Sequence, residues 1–392
     1  MAPIPRLRAY EGPAVLSYGF RPFFLLGSLY AGLAVLAWLP MFVGDLALPT
    51  ALAPRDWHVH EMLYGFAGAV MAGFLLTAVP NWTGRLPLQG GPLLLLVAAW
   101  LAGRFAVAFS AVLGWLPAAL LDLSFLTLLT AAIAREVVAG RNWRNLKVLV
   151  ALSALLAGNA LFHVEAYRSG TAEYGIRVGI AAALAMVMLI GGRIVPSFTR
   201  NWLARENPGR MPASFGTFDK ASMILAVAAL AGWTLAPGSR ATGAALVVTG
   251  LVQAARLARW AGDRTWPDPL VLVLQVAYAF VPLGFVLVGA SALGLVPVGA
   301  GIHAWTGGAV GVMTLAVMSR ASLGHTGRPL AASPAVRTVY VLATASVLAR
   351  VCASLHPAWT GSLLPVAGAL WAMAFLGFAA AYWRVLTGPR AA

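Results

Sequence analysis

Apolar residues run along this chain in long unbroken blocks, separated by short polar stretches. They do not alternate as they would in strands. A helix needs about 20 apolar residues to cross the hydrocarbon of a bilayer, and twelve blocks meet that length. They lie at 23–43, 58–80, 92–112, 114–134, 145–165, 174–196, 219–236, 238–258, 269–294, 300–322, 334–355 and 361–386. Two of the gaps are very short. Gly114 with Pro117, and Pro237 with Gly238, supply the turn chemistry there. The pattern predicts an all-α, polytopic membrane helix bundle of about 12 transmembrane helices. The longest polar stretch, 197–218, is too short for a separate soluble domain, so residues 1–392 read as one transmembrane domain.

Composition agrees. The chain has 392 residues, 60% hydrophobic and 10% charged, with a mean hydropathy of +0.83. Water could not solvate so much apolar surface, whereas lipid does. The formal net charge of +15 would raise nucleic acid as a partner in a soluble protein. Here the basic residues fall between apolar blocks, and no aromatic-and-basic motif accompanies them, so nucleic acid is excluded. With the N-terminus cytoplasmic, only Arg55, Arg104, Arg168, Arg177, Arg240 and Arg350 of the 27 Lys and Arg fall on the outer side. That asymmetry predicts both termini in the cytoplasm and an even number of spans. The start, with Arg6, Arg8 and Arg21, reads as a tail and not as a cleavable signal peptide. Cys352 is the single cysteine, so no disulfide or thiolate cluster forms within the chain.

A repeat is faintly visible. Setting Thr83-Gly84-Arg85 on Thr326-Gly327-Arg328 places His60 on His303, and Thr199-Arg200 fits between them with Ile176 at the histidine position. This spacing predicts three four-helix repeats, near 20–140, 141–260 and 261–390.

The six histidines are not spread evenly. His58 and His60 open span 2, His163 closes span 5, His303 opens span 10 and His356 lies beyond span 11; all five are assigned to the outer side. Only His325 is assigned to the inner side. Neutral imidazole is a good ligand for iron and copper, so a layer of histidines from several helices can hold a metal or a haem. Copper would accept Met62 as a soft neighbour. The plainer alternative is that each ring bonds backbone or water. His58 and His60 stand about 200° apart round a helix, which sets them on different faces. Glu61 either caps the helix or orients a ligand imidazole.

Other polar residues lie within the spans. Arg104 and Asp122 have the same expected depth on adjacent helices and predict an ion pair, because an unpaired charge there is costly. Arg193 and Arg320, near the inner ends of spans 6 and 10, either snorkel to lipid or help bind an anion or a haem propionate. Pro80 and Pro196 should end or kink their helices. Gly307, Gly308 and Gly311 either pack helices closely or leave room for a flat macrocycle.

The blocks SYGFRPFF (17–24), WHVHEMLYGFAGAVMAGFLLTAVPNWTGR (57–85), NALFH (159–163), GGRIVPSFTRN (191–201) and HAWTGGAVGVMTLAVMSRASLGHTGRP (303–329) resemble those of the NnrS family of bacterial inner-membrane proteins. The likeness covers essentially the whole chain in order. It implies association with denitrification and resistance to nitrosative stress, haem and copper as cofactors, and no established reaction. Redox chemistry on nitric oxide is its natural extension. It carries the family's histidine motifs onto His58, His60, His163, His303 and His325. With Glu61, Arg193 and Arg320 these are the candidate cofactor-binding residues, and His356 is left as a surface residue. The expected surroundings are the lipid bilayer of the inner membrane, nitric oxide or a related small molecule, an electron donor and other copies of the chain. The competing reading is a twelve-helix transporter of a small metabolite or metal species.

Overall fold

The computed structural model describes residues 10–391. Among these residues twelve helices are long and apolar enough to cross a membrane. They are Phe20–Val43 (span 1), Pro54–Thr83 (span 2), Gly91–Ala108 (span 3), Trp115–Ala139 (span 4), Trp143–Ser169 (span 5) and Tyr174–Glu206 (span 6). Then follow Thr217–Leu235 (span 7), Arg240–Ala258 (span 8), Pro269–Ala292 (span 9), Val298–His325 (span 10), Pro334–Leu355 (span 11) and Pro357–Thr387 (span 12). No strand occurs among the described residues. The fold is all-α and polytopic, as the apolar blocks predict.

The turn at Gly114 falls where expected. Between spans 3 and 4 the chain reverses at Gly114, whose φ of +85° lies in the region that favours glycine. Of the two outcomes expected of the prolines, ending the helix is not what they do. Span 2 continues past Pro80 to Thr83, and span 6 past Pro196 to Glu206. Proline is tolerated inside membrane helices because neighbouring groups re-satisfy the freed carbonyl.

Two spans depart from α-helical geometry. Span 2 is π-helical over Glu61–Ala67, and span 10 over Ala304–Val312. The residues immediately before them are His60 and His303, the pair set on one another by the expected repeat. Span 6, where Ile176 takes the histidine's place, is α-helical from Tyr174 to Glu206.

The chain forms two compact units. One takes the described residues up to Gly179, with Ala321–Pro329 and the chain from Phe378 onward. The other takes Ile180–Arg320 with Leu330–Gly377. Lipid offers no hydrophobic drive between helices, so close packing must hold each unit. In the first, a Cβ on Gly73 would come within 2.8 Å of the Phe24 ring. In the second, a Cβ on Gly289 would stand 2.7 Å from the Gly243 carbonyl oxygen, so spans 8 and 9 cross at these glycines. The second unit also buries an ion pair, Arg256 Nε to Asp219 Oδ1 at 3.1 Å, with Tyr278 Oη 2.9 Å from Arg256 Nη1.

Candidate metal centre

In the first unit five spans bring polar side chains to one place. Span 2 supplies His60 and Glu61, both fully buried. Span 3 supplies Arg104 and span 4 Asp122. Span 5 supplies Asn159 and His163, four residues apart and hence on one helical face. Span 1 supplies Tyr30, whose hydroxyl donates to Glu61 Oε2.

Small residues make the approach feasible. A Cβ on Gly103 would lie 3.0 Å from Asp122 Cα, so spans 3 and 4 touch backbone to backbone beside the ion pair. A Cβ on Gly65 would overlap Arg104 Nη1 at 2.3 Å, so the guanidinium lies across the π-helical turn. Trp100 Nε1 donates to the Gly65 carbonyl at 3.0 Å and pins the same turn. Distorted turns of this kind recur at functional sites.

Asp122 is the hub. Its Oδ1 accepts from Arg104 Nη2. Its Oδ2 lies 2.9 Å from His163 Nε2, 3.1 Å from His60 Nε2 and 2.7 Å from Asn159 Nδ2. Arg104 Nη1 donates to Glu61 Oε2 at 2.7 Å, so one guanidinium ties both carboxylates. The ion pair expected from matching depth is therefore present and joined to the histidines. His60 Nδ1 lies 2.8 Å from Glu61 Oε1, and its Nε2 is 3.0 Å from Asn159 Oδ1. Every partner of the His60 ring is thus an acceptor. The ring is satisfied with hydrogens on both nitrogens, or with a metal ion in place of the one on Nε2. Two carboxylates against one guanidinium leave one negative charge when both imidazoles are neutral. Burial makes that charge expensive, and a bound cation offsets it.

One nitrogen each from His60 and His163 and one oxygen from Asp122 lie within 4.8 Å of one another, close enough to converge on one metal ion. A haem does not fit there. Phe162 and Tyr64 pack against the His60 ring with centroids at 5.0 and 5.4 Å, and the His163 ring lies at 5.1 Å.

The NnrS protein family model matches residues 14–390. The chain belongs to the NnrS family. The family ties it to the response to nitric oxide at a membrane. No curated protein matches the chain.

The other residues that the NnrS resemblance singles out have surroundings of their own. His58 faces away from His60 and stacks on Trp38 with centroids 4.2 Å apart. His325 packs on Tyr18 and Phe20 at 5.6 and 5.7 Å. In the second unit, His303 Nδ1 bonds the Gly299 carbonyl oxygen at 2.7 Å, one turn back on its own helix. There Arg193 is exposed, and Arg320 lies over the Phe198 ring at 4.2 Å. His356 is exposed beside Trp359. Of the two readings of the span 10 glycines, close packing is what the structure has. A Cβ on Gly308 would meet Phe280 at 2.3 Å, and one on Gly311 would meet Trp371 at 2.5 Å, so the room for a macrocycle is filled by aromatic rings.

Asn159 and Tyr30 were not singled out from the sequence. Asn159 stands one turn before His163 inside the NALFH block, and that spacing was the available signal. Tyr30 has no such mark, because only the contact between spans 1 and 2 brings it to Glu61.

Proposed function

We propose that this chain is an inner-membrane protein, with both termini cytoplasmic, that answers nitric oxide through one metal ion held by His60, Asp122 and His163. The observation that carries the reading is the buried two-imidazole, one-carboxylate set. Copper is the metal proposed, because imidazole suits it and the surplus negative charge favours a cation. A bound copper ion would supply one-electron chemistry and an open coordination position for a small ligand. Glu61 accepts the His60 Nδ1 hydrogen, which fixes the tautomer and turns the Nε2 lone pair towards the ion. Arg104 neutralises the distal oxygens of both carboxylates. Asn159 holds Asp122 in register. Nitric oxide partitions into lipid, so a centre buried among membrane helices lies in the phase that the gas prefers. Haem is not assigned to these residues.

The test is metal analysis of the purified full chain. Wild type should carry about one copper ion per chain, and His60→Ala and His163→Ala should lose it. His58→Ala and His303→Ala should retain it. Equal copper in all five proteins would end the assignment. A strain carrying His60→Ala and His163→Ala together should also grow more slowly than wild type under nitric oxide, and equally without it.

A further inference from the structure

Elsewhere in the first unit a group of cations gathers with no acid paired to it among the described residues. Span 10 ends at His325, and the chain then turns at Gly327, where φ is +74°. A Cβ there would stand 3.3 Å from Arg390 Nε, so glycine keeps the space into which that side chain reaches. Ala391 N donates to the Thr326 carbonyl at 2.9 Å, which ties the end of the described chain to the same turn. Arg21 is buried, and its Nη1 donates to the carbonyls of Gly388 at 2.6 Å and Leu386 at 3.2 Å. Arg328 lies near enough to Arg21 for each to feel the other's charge, and Arg390 lies near the His325 ring. The ion pairs among the described residues leave Arg21, Arg328 and Arg390 without a carboxylate. Arg328 Nη1 is buried and has no hydrogen-bond acceptor among the described residues.

A buried donor without an acceptor costs about 1–3 kcal/mol, and more when charged. Crowded like charges add to that cost. One kind of group relieves both at once, an anion with several acceptor oxygens. Guanidinium matches phosphate in geometry as well as in charge.

We propose that the Thr326-Gly327-Arg328 turn, with Arg21 and Arg390, is a phosphate-binding site. Arg328 and Arg390 supply the donors to the phosphate oxygens. Arg21, held by the carbonyls at the end of span 12, supplies fixed positive charge behind them. The phosphate comes either from a phospholipid headgroup or from a soluble ion, and the same donors serve both.

The test uses the purified full chain, stripped of lipid in a neutral detergent. Inorganic phosphate and phosphatidylglycerol in mixed micelles are titrated separately, with thermal unfolding and native mass spectrometry as readouts. At least one should bind saturably at one molecule per chain and raise the unfolding midpoint. Phosphatidylglycerol alone would identify a headgroup, phosphate alone a soluble ion, and both a site that reads the phosphate itself. Arg328→Gln and Arg390→Gln should each weaken binding by about tenfold, while the exposed Arg135→Gln should not. Arg390→Gln alters an exposed residue, so it remains informative even where Arg328→Gln does not fold. Binding of neither probe, or equal binding by wild type and Arg390→Gln, would overturn the proposal. Copper content is read on the same samples. It should not change in either variant, so failure here and failure of the metal assignment are separable.

Discussion

His60 and His303 share a local backbone setting and occupy different chemical worlds. Each immediately precedes a π-helical stretch, Glu61–Ala67 in one case and Ala304–Val312 in the other. After His60 comes Glu61; after His303 comes Ala304. Around His60 three further spans contribute Arg104, Asp122, Asn159 and His163. Around His303 the following turns carry Trp305, Gly308 and Gly311 packed against Phe285, Phe280 and Trp371. The offset that sets His60 on His303 puts Asp122 on Pro365. The same distortion of the helix thus serves a polar centre in one unit and an apolar packing face in the other. Neighbouring spans, and not the histidine or its local backbone, decide which.

The largest effect should come from removing the hub. Asp122→Leu leaves a buried guanidinium and two imidazoles without their common acceptor, and losing one partner of a buried pair costs about 3–5 kcal/mol. Unfolding in detergent should fall accordingly and the metal should be lost. A variant that unfolds like wild type would show that the network contributes little, and the contrast with His303 would collapse.

Stripping the metal is the next step down. Chelation should destabilise wild type by about 2–4 kcal/mol, the range expected when a tightly held ligand is withdrawn. His303→Ala should respond identically, and His163→Ala should not respond. A shift in His163→Ala would point to a metal bound elsewhere.

Two glycine substitutions sharpen the comparison further. Gly308→Ala drives a methyl group into Phe280 and should cost about 1–3 kcal/mol, as overpacking does, with metal content unchanged. Gly65→Ala drives its methyl group into Arg104, which two carboxylates hold in place, and should lower metal content as well. If both variants behave alike in metal content, the π-helical turn of span 2 has no special tie to the centre.

The smallest effect belongs to His303→Ala. It removes the hydrogen bond to Gly299 and should cost about 1 kcal/mol, read by the same unfolding measurement, without loss of metal. Loss of metal on this substitution would place His303 among the ligands after all.

Much of this protein was legible in its sequence. Twelve apolar blocks became twelve helices, because a bilayer admits few other solutions for such a chain. The depth argument for Arg104 and Asp122 also held, since a short turn at Gly114 forces equal rise on both sides. The prolines show the limit of local rules. Pro196 is a helix breaker in water, yet span 6 runs ten residues beyond it.

The sequence by itself determined the spans and the kinds of side chain they carry, because the spans follow from periodicity and solvent. Tertiary structure alone decided which of the six histidines meet. His58 and His60 are two residues apart, and only one of them reaches Asp122. Tyr30 joins Glu61 across 31 positions, and Asn159 joins His60 across 99. Such meetings depend on the rotation of each helix about its axis and on glycine contacts between spans. In lipid those are set by packing, to which hydropathy along the chain is blind.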